Sequence, residues 1–131
     1  MADQVMAAEG VLFDSLFVKH QAEVPIGALD GLPVTFALFF HDLSAFLGKA
    51  NLFLEDLFVD EGYRGLGLGK IMFSSLARIA VERGCERLDW WCLDWNTPGV
   101  AFYKSMGAVP MSDWTDHRLE GERLGKMADL L

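Results

Sequence analysis

The sequence predicts an α/β or α+β fold, a mixed sheet flanked by helices, and three observations carry that expectation. Two apolar runs meet at Asp30-Gly31, a dipeptide that favours a two-residue hairpin turn. Leu68, Ile71, Met72, Ser75, Leu76, Ile79 and Ala80 recur at the spacing of one buried helical face. A Trp-rich apolar run then follows that helix, so strand, helix and strand succeed one another and imply a right-handed crossover between parallel strands.

Taken in order, residues 4–17 read only weakly as a helix, because a glycine interrupts their apolar positions. Residues 22–29 and 32–41 read as the two hairpin strands, and 41–51 as a loop. The run LFLEDLFV at 52–59 is a third, mostly buried strand. The amphipathic helix spans 68–83, and Gly84 ends it as a left-handed C′ residue. Residues 87–93 form the next strand. A second helix begins near Pro98, which suits a first helical turn, and runs to about Met106, where Gly107 stops it. Residues 109–119 supply one more strand.

A chain of 131 residues that is 52% hydrophobic can fill one core, so residues 1–131 are expected to form a single domain. The 11 Lys and Arg stand against 19 Asp and Glu, and the net charge of -8 disfavours phosphate-backbone binding. No nucleic-acid partner is expected. The acidity suits a cationic small molecule, or serves solubility alone. Cys85 and Cys92 make no disulfide framework, and neither they nor His20, His41 and His117 have metal-ligand spacing, so no metal is expected. The first residues lack a basic region and an apolar stretch, and no apolar run has the length of a membrane span. The expectation is a soluble, cytoplasmic protein without a membrane partner.

The chemically informative segment is Tyr63-Arg64-Gly65-Leu66-Gly67-Leu68-Gly69-Lys70, between an apolar strand and the amphipathic helix. Alternating glycines let the backbone turn tightly and present successive N–H groups at the positive end of the helix, which makes a phosphate cradle. It is not a Walker loop, since Arg64 replaces the first glycine of that motif and Ile71 its Ser or Thr. It also lacks the G-x-G-x-x-G spacing of a dinucleotide fold. Taken alone, the segment reads more readily as a Gly-rich turn entering a helix than as a phosphate site.

Arg64-x-x-Gly67-x-Gly69 after a strand and before a helix resembles the acyl-CoA pyrophosphate loop of the GNAT N-acetyltransferases. Three further strings match in order: LFLEDLFV before the loop, Asp94-Trp95-Asn96-Thr97-Pro98 after the next strand, and Ala101-Phe102-Tyr103-Lys104-Ser105-Met106-Gly107-Ala108. Within that family the chain is most similar to the diamine (spermidine/spermine) acetyltransferases, and the resemblance runs from about Ala22 to Leu119. It implies a GNAT-like mixed, mostly antiparallel sheet with a splayed parallel strand pair and flanking helices, the N-terminal strand and helix being abbreviated. It also implies a homodimer.

The same resemblance implies the site. Main-chain groups of Leu57, Phe58 and Val59 hold the pantetheine arm of acetyl-CoA, while Arg64, Gly65, Leu66, Gly67, Leu68, Gly69 and Lys70 hold the pyrophosphate. Asn96 and Pro98 help to position the arm. Phe58 and Val59 can be core residues at the same time, because the family uses their backbone. Tyr103 matches the general acid that protonates the departing thiolate, and Glu55 the general base that takes a proton from the acceptor amine, with Asp56 beside it at the substrate. Adjacent strand residues face opposite sides, so only one of Glu55 and Asp56 faces the acceptor unless a bulge intervenes. Lys104 either touches CoA phosphate or is a solvated helix charge. Trp90, Trp91, Trp95 and Trp114 either pack or stack on a ligand.

The family's loop before the third strand carries an acidic residue and a Trp near the polyamine, and Ser44 and Phe46 stand there in this chain. That leaves the acceptor open to another primary amine, on an amino acid or an aminoalkyl group. Three functions follow from these residues: an N-acetyltransferase for a small-molecule amine, an acyl-CoA-binding module with lost or regulatory activity, or an interaction protein that keeps only the fold.

Overall fold

The structure is a computed structural model and describes residues 18–44 and 48–130. The expected helix at 4–17 and Phe46 lie outside the described residues. The chain divides into two compact units, residues 1–91 and 92–131.

The first unit is built on a four-stranded sheet in the order β1 (Ile26–Leu29), β2 (Leu32–Ser44), β3 (Lys49–Val59) and β4 (Leu88–Trp90). The first two pairings are antiparallel and β3 pairs β4 in parallel. The expected hairpin is present: Leu29 faces Leu32, and Asp30 and Gly31 take φ of 51° and 80°. Positive φ at both central positions is the type I′ geometry, whose twist matches that of the strands and which an Asp-Gly pair tolerates.

Three expected strands differ in extent; of the run 87–93 only Leu88–Trp90 is strand, since the ladder with β3 ends at Trp90. Residues 22–29 give a lone bridge between Glu23 and Phe39 and then β1, because Pro25 has no N–H for the ladder and only its carbonyl pairs, with Ala37 N at 3.1 Å. Much of the expected loop at 41–51 is strand instead. Ladder pairing continues from His41–Leu52 through Ser44–Lys49, since backbone hydrogen bonds are indifferent to the polar side chains that made this stretch read as loop.

The helix α1 (Leu68–Glu82) crosses one face of the sheet. Met72, Phe73, Leu76 and Ala80 are its buried residues and meet the buried Ala37, Phe39, Leu52 and Leu54 of the strands. Phe73 sets the rotation of the helix by packing its ring 4.8 Å from that of Trp90. Ile71 and Ser75, expected on the buried face, are exposed in consequence. After α1, Gly84 takes a φ of 73° as expected. At the same end, the Arg83 guanidinium grips the Glu23 carboxylate through two bonds of 2.5 and 2.8 Å and lies 5.5 Å over the Phe39 ring.

The second unit carries α2 (Thr97–Ser105) and α3 (Gly121–Ala128). The strand expected at 109–119 is absent: these residues are irregular, with Val109, Met111, Trp114 and Leu119 exposed. Pro110 removes a ladder donor and the stretch has no sustained alternation, whereas Trp114 N turns back to Met111 O at 3.3 Å. Helix α3 was not expected at all, because its two glycines and its Glu120 N-cap without a side-chain bond give no start signal.

Leu76 is wholly buried, so Leu76→Ala should destabilise the protein by about 2–5 kcal/mol in urea unfolding. The Arg83 hydrogen bond holds the Glu23 carboxyl below its ordinary value of 4.5, against the opposing effect of burial. A lowered folded pKa adds stability that is present above about pH 4.5 and fades as pH falls through the folded value. Glu23→Gln should therefore cost under about 1 kcal/mol at neutral pH, as expected of a half-exposed pair, and the difference from the native protein should vanish in acid.

Candidate active site

Site geometry in the first unit begins with an irregularity in β3. Leu38 pairs with Asp56, but its neighbour Phe39 pairs with Leu54, so Glu55 is an extra residue in the ladder. Such a bulge bends the strand and re-aims the side chain it inserts. Glu55 is exposed and Asp56 half-buried. Pairing with β4 stops at the same place: Leu52, Phe53 and Leu54 meet Leu88, Asp89 and Trp90, and the ladder ends there. Beyond it, residues 55–59 lie along β2 on one side and present to the other a strand edge with no β-partner among the described residues, open to a bound extended chain except at the Val59 carbonyl, which accepts from Arg64 Nε.

The strand leads through a short turn, Glu61–Tyr63, to the glycine loop. Arg64 closes this passage by donating from Nε to the Val59 carbonyl at 3.1 Å, with its guanidinium 6.0 Å from the Phe58 ring centroid. Gly67 is the N-cap of α1 at φ 80° and offers no capping side chain. The first helical bond runs from Ile71 N to Gly67 O at 3.2 Å, so the N–H groups of Leu68, Gly69 and Lys70 have no intrahelical acceptor. These donors, the positive helix end and the exposed Lys70 side chain together fit an anionic diphosphate. The space beside Gly65 and Gly67 is open, with no atom within 4 Å of where a Cβ would stand, so a ligand can approach the backbone closely.

In the second unit, Asn96 caps α2: its side-chain oxygen accepts from Gly99 N at 3.2 Å, and Pro98 occupies the first turn. Tyr103 lies in the last turn, where its carbonyl accepts from Met106 N and Ala108 N, both at 3.1 Å. Its phenol is half-buried; burial, and secondarily the neighbouring Cys92, push it above its ordinary 10. It therefore keeps its proton through neutral and mildly alkaline pH, the state a general acid needs.

Residues 5–108 match the acetyltransferase (GNAT) family. The chain belongs to that family.

Among curated relatives, L-ornithine N5-acetyltransferase of Arabidopsis thaliana is 39% identical over 89 residues, which is 68% of this chain and 39% of that protein. Thialysine N-epsilon-acetyltransferase of Bos taurus is 34% identical, covering 98% of this chain and 82% of the relative. The structure of an integron cassette protein from V. cholerae superposes with a TM-score of 0.81 at 30% identity, over 98% of this chain and 82% of that one. The splayed parallel pair expected of a GNAT chain corresponds here to the three-residue β3–β4 ladder.

Of the residues singled out in this GNAT chain, Glu55, Asp56, Leu57, Phe58 and Val59 share one stretch of strand that runs directly into Arg64 to Lys70. Asn96, Pro98 and Tyr103 share the other unit and one helix. Two features are absent from the sequence signal. The bulge at Glu55 is a register effect, visible only once β2 is paired. Asn96 also has a second occupation, since its oxygen is engaged in capping α2. Among the described residues no group of three or more His, Cys, Asp or Glu could hold a metal ion, and no helix is long and apolar enough to cross a membrane.

A left-handed residue with a side chain costs about 1–2 kcal/mol. Gly67→Ala should therefore lose roughly that much in urea unfolding, whereas Gly62→Ala, in equally open space without a positive φ, should lose less.

Proposed function

We propose that this chain is an N-acetyltransferase that moves the acetyl group of acetyl-CoA to a primary amine of a small molecule, polyamine-like or amino-acid-like, by direct attack. The observation that carries the reading is the unpaired edge of β3 at residues 55–59, which begins at a bulged carboxylate and leads into free helix N-terminal donors. Relatives whose names specify ornithine and thialysine support an amine acceptor.

Acetyl-CoA supplies an activated thioester. In this chain, the main chain of Leu57, Phe58 and Val59 would hold its pantetheine arm, as an added strand pairs with a sheet edge. The N–H groups of the loop from Gly65 through Leu66, Gly67, Leu68 and Gly69 to Lys70, with Arg64 beside them, would hold the pyrophosphate. Asn96 and Pro98 flank the arm. The acceptor amine is mostly ammonium at neutral pH and must lose a proton before it attacks; Glu55 takes it, through water, while Asp56 attracts the cation. Tyr103 gives its proton to the departing sulfur. The overall charge of -8 assists a cationic acceptor and opposes the anionic donor, so the backbone donors carry the recognition of CoA.

The same reading takes residues 1–131 as one GNAT-like domain of a cytoplasmic homodimer, with no metal and no nucleic-acid or membrane partner. The test is CoA thiol release with a panel of polyamines, amino acids and aminoalkyl compounds. Acetyl-CoA should raise the melting temperature, and at least one amine should be turned over. A protein that acetyl-CoA stabilises but that acetylates nothing is an acyl-CoA-binding module instead. Tyr103→Phe should lower kcat by about 100-fold or more, the share a general acid supplies, while the thermal shift with acetyl-CoA persists. Full activity in that variant would remove Tyr103 from the chemistry.

A further inference from the structure

Arg64 touches the open edge of β3 as well as standing beside the glycine loop. The hydrogen bond from Asp60 N to Val34 O, 2.8 Å long, extends the β2–β3 ladder by one pair, and hydrogen-bonded pairs alternate along an antiparallel ladder. By that alternation Leu57 and Val59 direct their N–H and C=O groups away from β2, to the open edge. Val59 ends the strand, and its carbonyl is the one that accepts from Arg64 Nε at 3.1 Å. The guanidinium is steadied from a second side by the Phe58 ring, whose centroid lies 6.0 Å away and which stacks 5.4 Å from Phe36 of β2.

Little else fixes the loop to the strand. No residue from Asp60 to Gly67 is buried, and Gly62, Gly65 and Gly67 leave the backbone conformationally loose. The turn holds itself together locally, with Gly62 N bonded to the Asp60 carboxylate at 3.3 Å and Tyr63 N to Asp60 O at 2.8 Å. Among the described residues, no hydrogen bond other than that of Arg64 joins residues 61–67 to β3.

We propose that Arg64 is a positioning residue for the pantetheine arm: through Val59 it splints the open edge of β3 to the glycine loop, apart from any contact it makes with a phosphate. This rests on the acetyltransferase reading and deepens it. A carbonyl oxygen accepts two hydrogen bonds, so Val59 can serve Arg64 and an amide of the arm together. The bond uses Nε and leaves the Nη groups to the diphosphate. Arm and diphosphate belong to one molecule, so holding their two seats at a set separation adds affinity even where neither seat changes. An ammonium brings the same charge without the planar fork, so lysine replaces the charge and not the splint.

The discriminating donor is S-acetylpantetheine, which carries the arm and the thioester but no phosphate. The full chain, native and as Arg64→Lys and Arg64→Gln, should be assayed with this donor and with acetyl-CoA, using one amine that the native protein acetylates. With S-acetylpantetheine both variants should lose about tenfold in kcat/KM, lysine as much as glutamine, and the loss should lie in KM. With acetyl-CoA, Arg64→Lys should lose less than Arg64→Gln, because its charge still meets the diphosphate. The urea midpoint should stay where it is, since Arg64 is exposed. A value for S-acetylpantetheine that is unchanged or raised in the variants overturns the splint and leaves Arg64 as a phosphate contact alone. If no amine is acetylated, the acetyltransferase reading fails instead, and the splint is judged in the ligand-free chain by the NMR order parameters of the amides in residues 61–67. These should fall in both variants, and equal values overturn it. The same measurement decides where S-acetylpantetheine is too poor a donor to follow.

Discussion

A single extra residue in β3 organises the rest of the candidate site. Because Glu55 is inserted between Leu54, which pairs with Phe39, and Asp56, which pairs with Leu38, the strand bends at the point where its other neighbour, β4, stops following it. A regular β3 would set Glu55 and Asp56 on opposite faces. Glu55 is exposed at the bulge, residues 55–59 have one edge without a β-partner among the described residues, and the strand then delivers the chain to the glycine loop. The hydrophobic packing of α1 on the sheet, through Leu76, Met72 and the Phe73–Trp90 contact, fixes where that loop and its free N–H groups lie relative to the open edge.

Recognition of an anionic donor by a chain with a net charge of -8 is a problem of local against global electrostatics. Long-range attraction works against it and is screened beyond about 10 Å at ordinary ionic strength. Short-range donors at a helix N-terminus act inside that distance. On the proposed function, the same acidity would give a cationic acceptor a favourable approach, and the opposite requirements would be met by separating them: backbone donors at the loop, carboxylates on the strands.

Legibility of the fold followed the strength of the local physics. Asp30-Gly31 and the periodicity of α1 are signals that a few neighbouring residues determine, and both elements stand where the sequence puts them. The Pro98 start of α2 is of the same kind. What escaped depends on partners distant in sequence. The polar ends of β2 and β3 pair because Phe40 and Phe53 have already set the register, not because His41, Asp42 and Asn51 favour strands. The strand expected at 109–119 does not form, and Pro110 is a local signal against it. Glu55, Tyr103 and the glycine loop stand out in the sequence as a resemblance, whereas the bulge and the Asp42–Asn51 pairing exist only in the assembled sheet.

The central claim is that the free edge of β3 and the uncapped start of α1 hold the acyl donor through the backbone. Amide hydrogen exchange of the full chain with and without acetyl-CoA tests it most directly. The account predicts new protection at amides within residues 55–59 and at Leu68, Gly69 and Lys70, with the hairpin at Asp30-Gly31 unchanged. Binding of acetyl-CoA with protection elsewhere and none at these amides would contradict it.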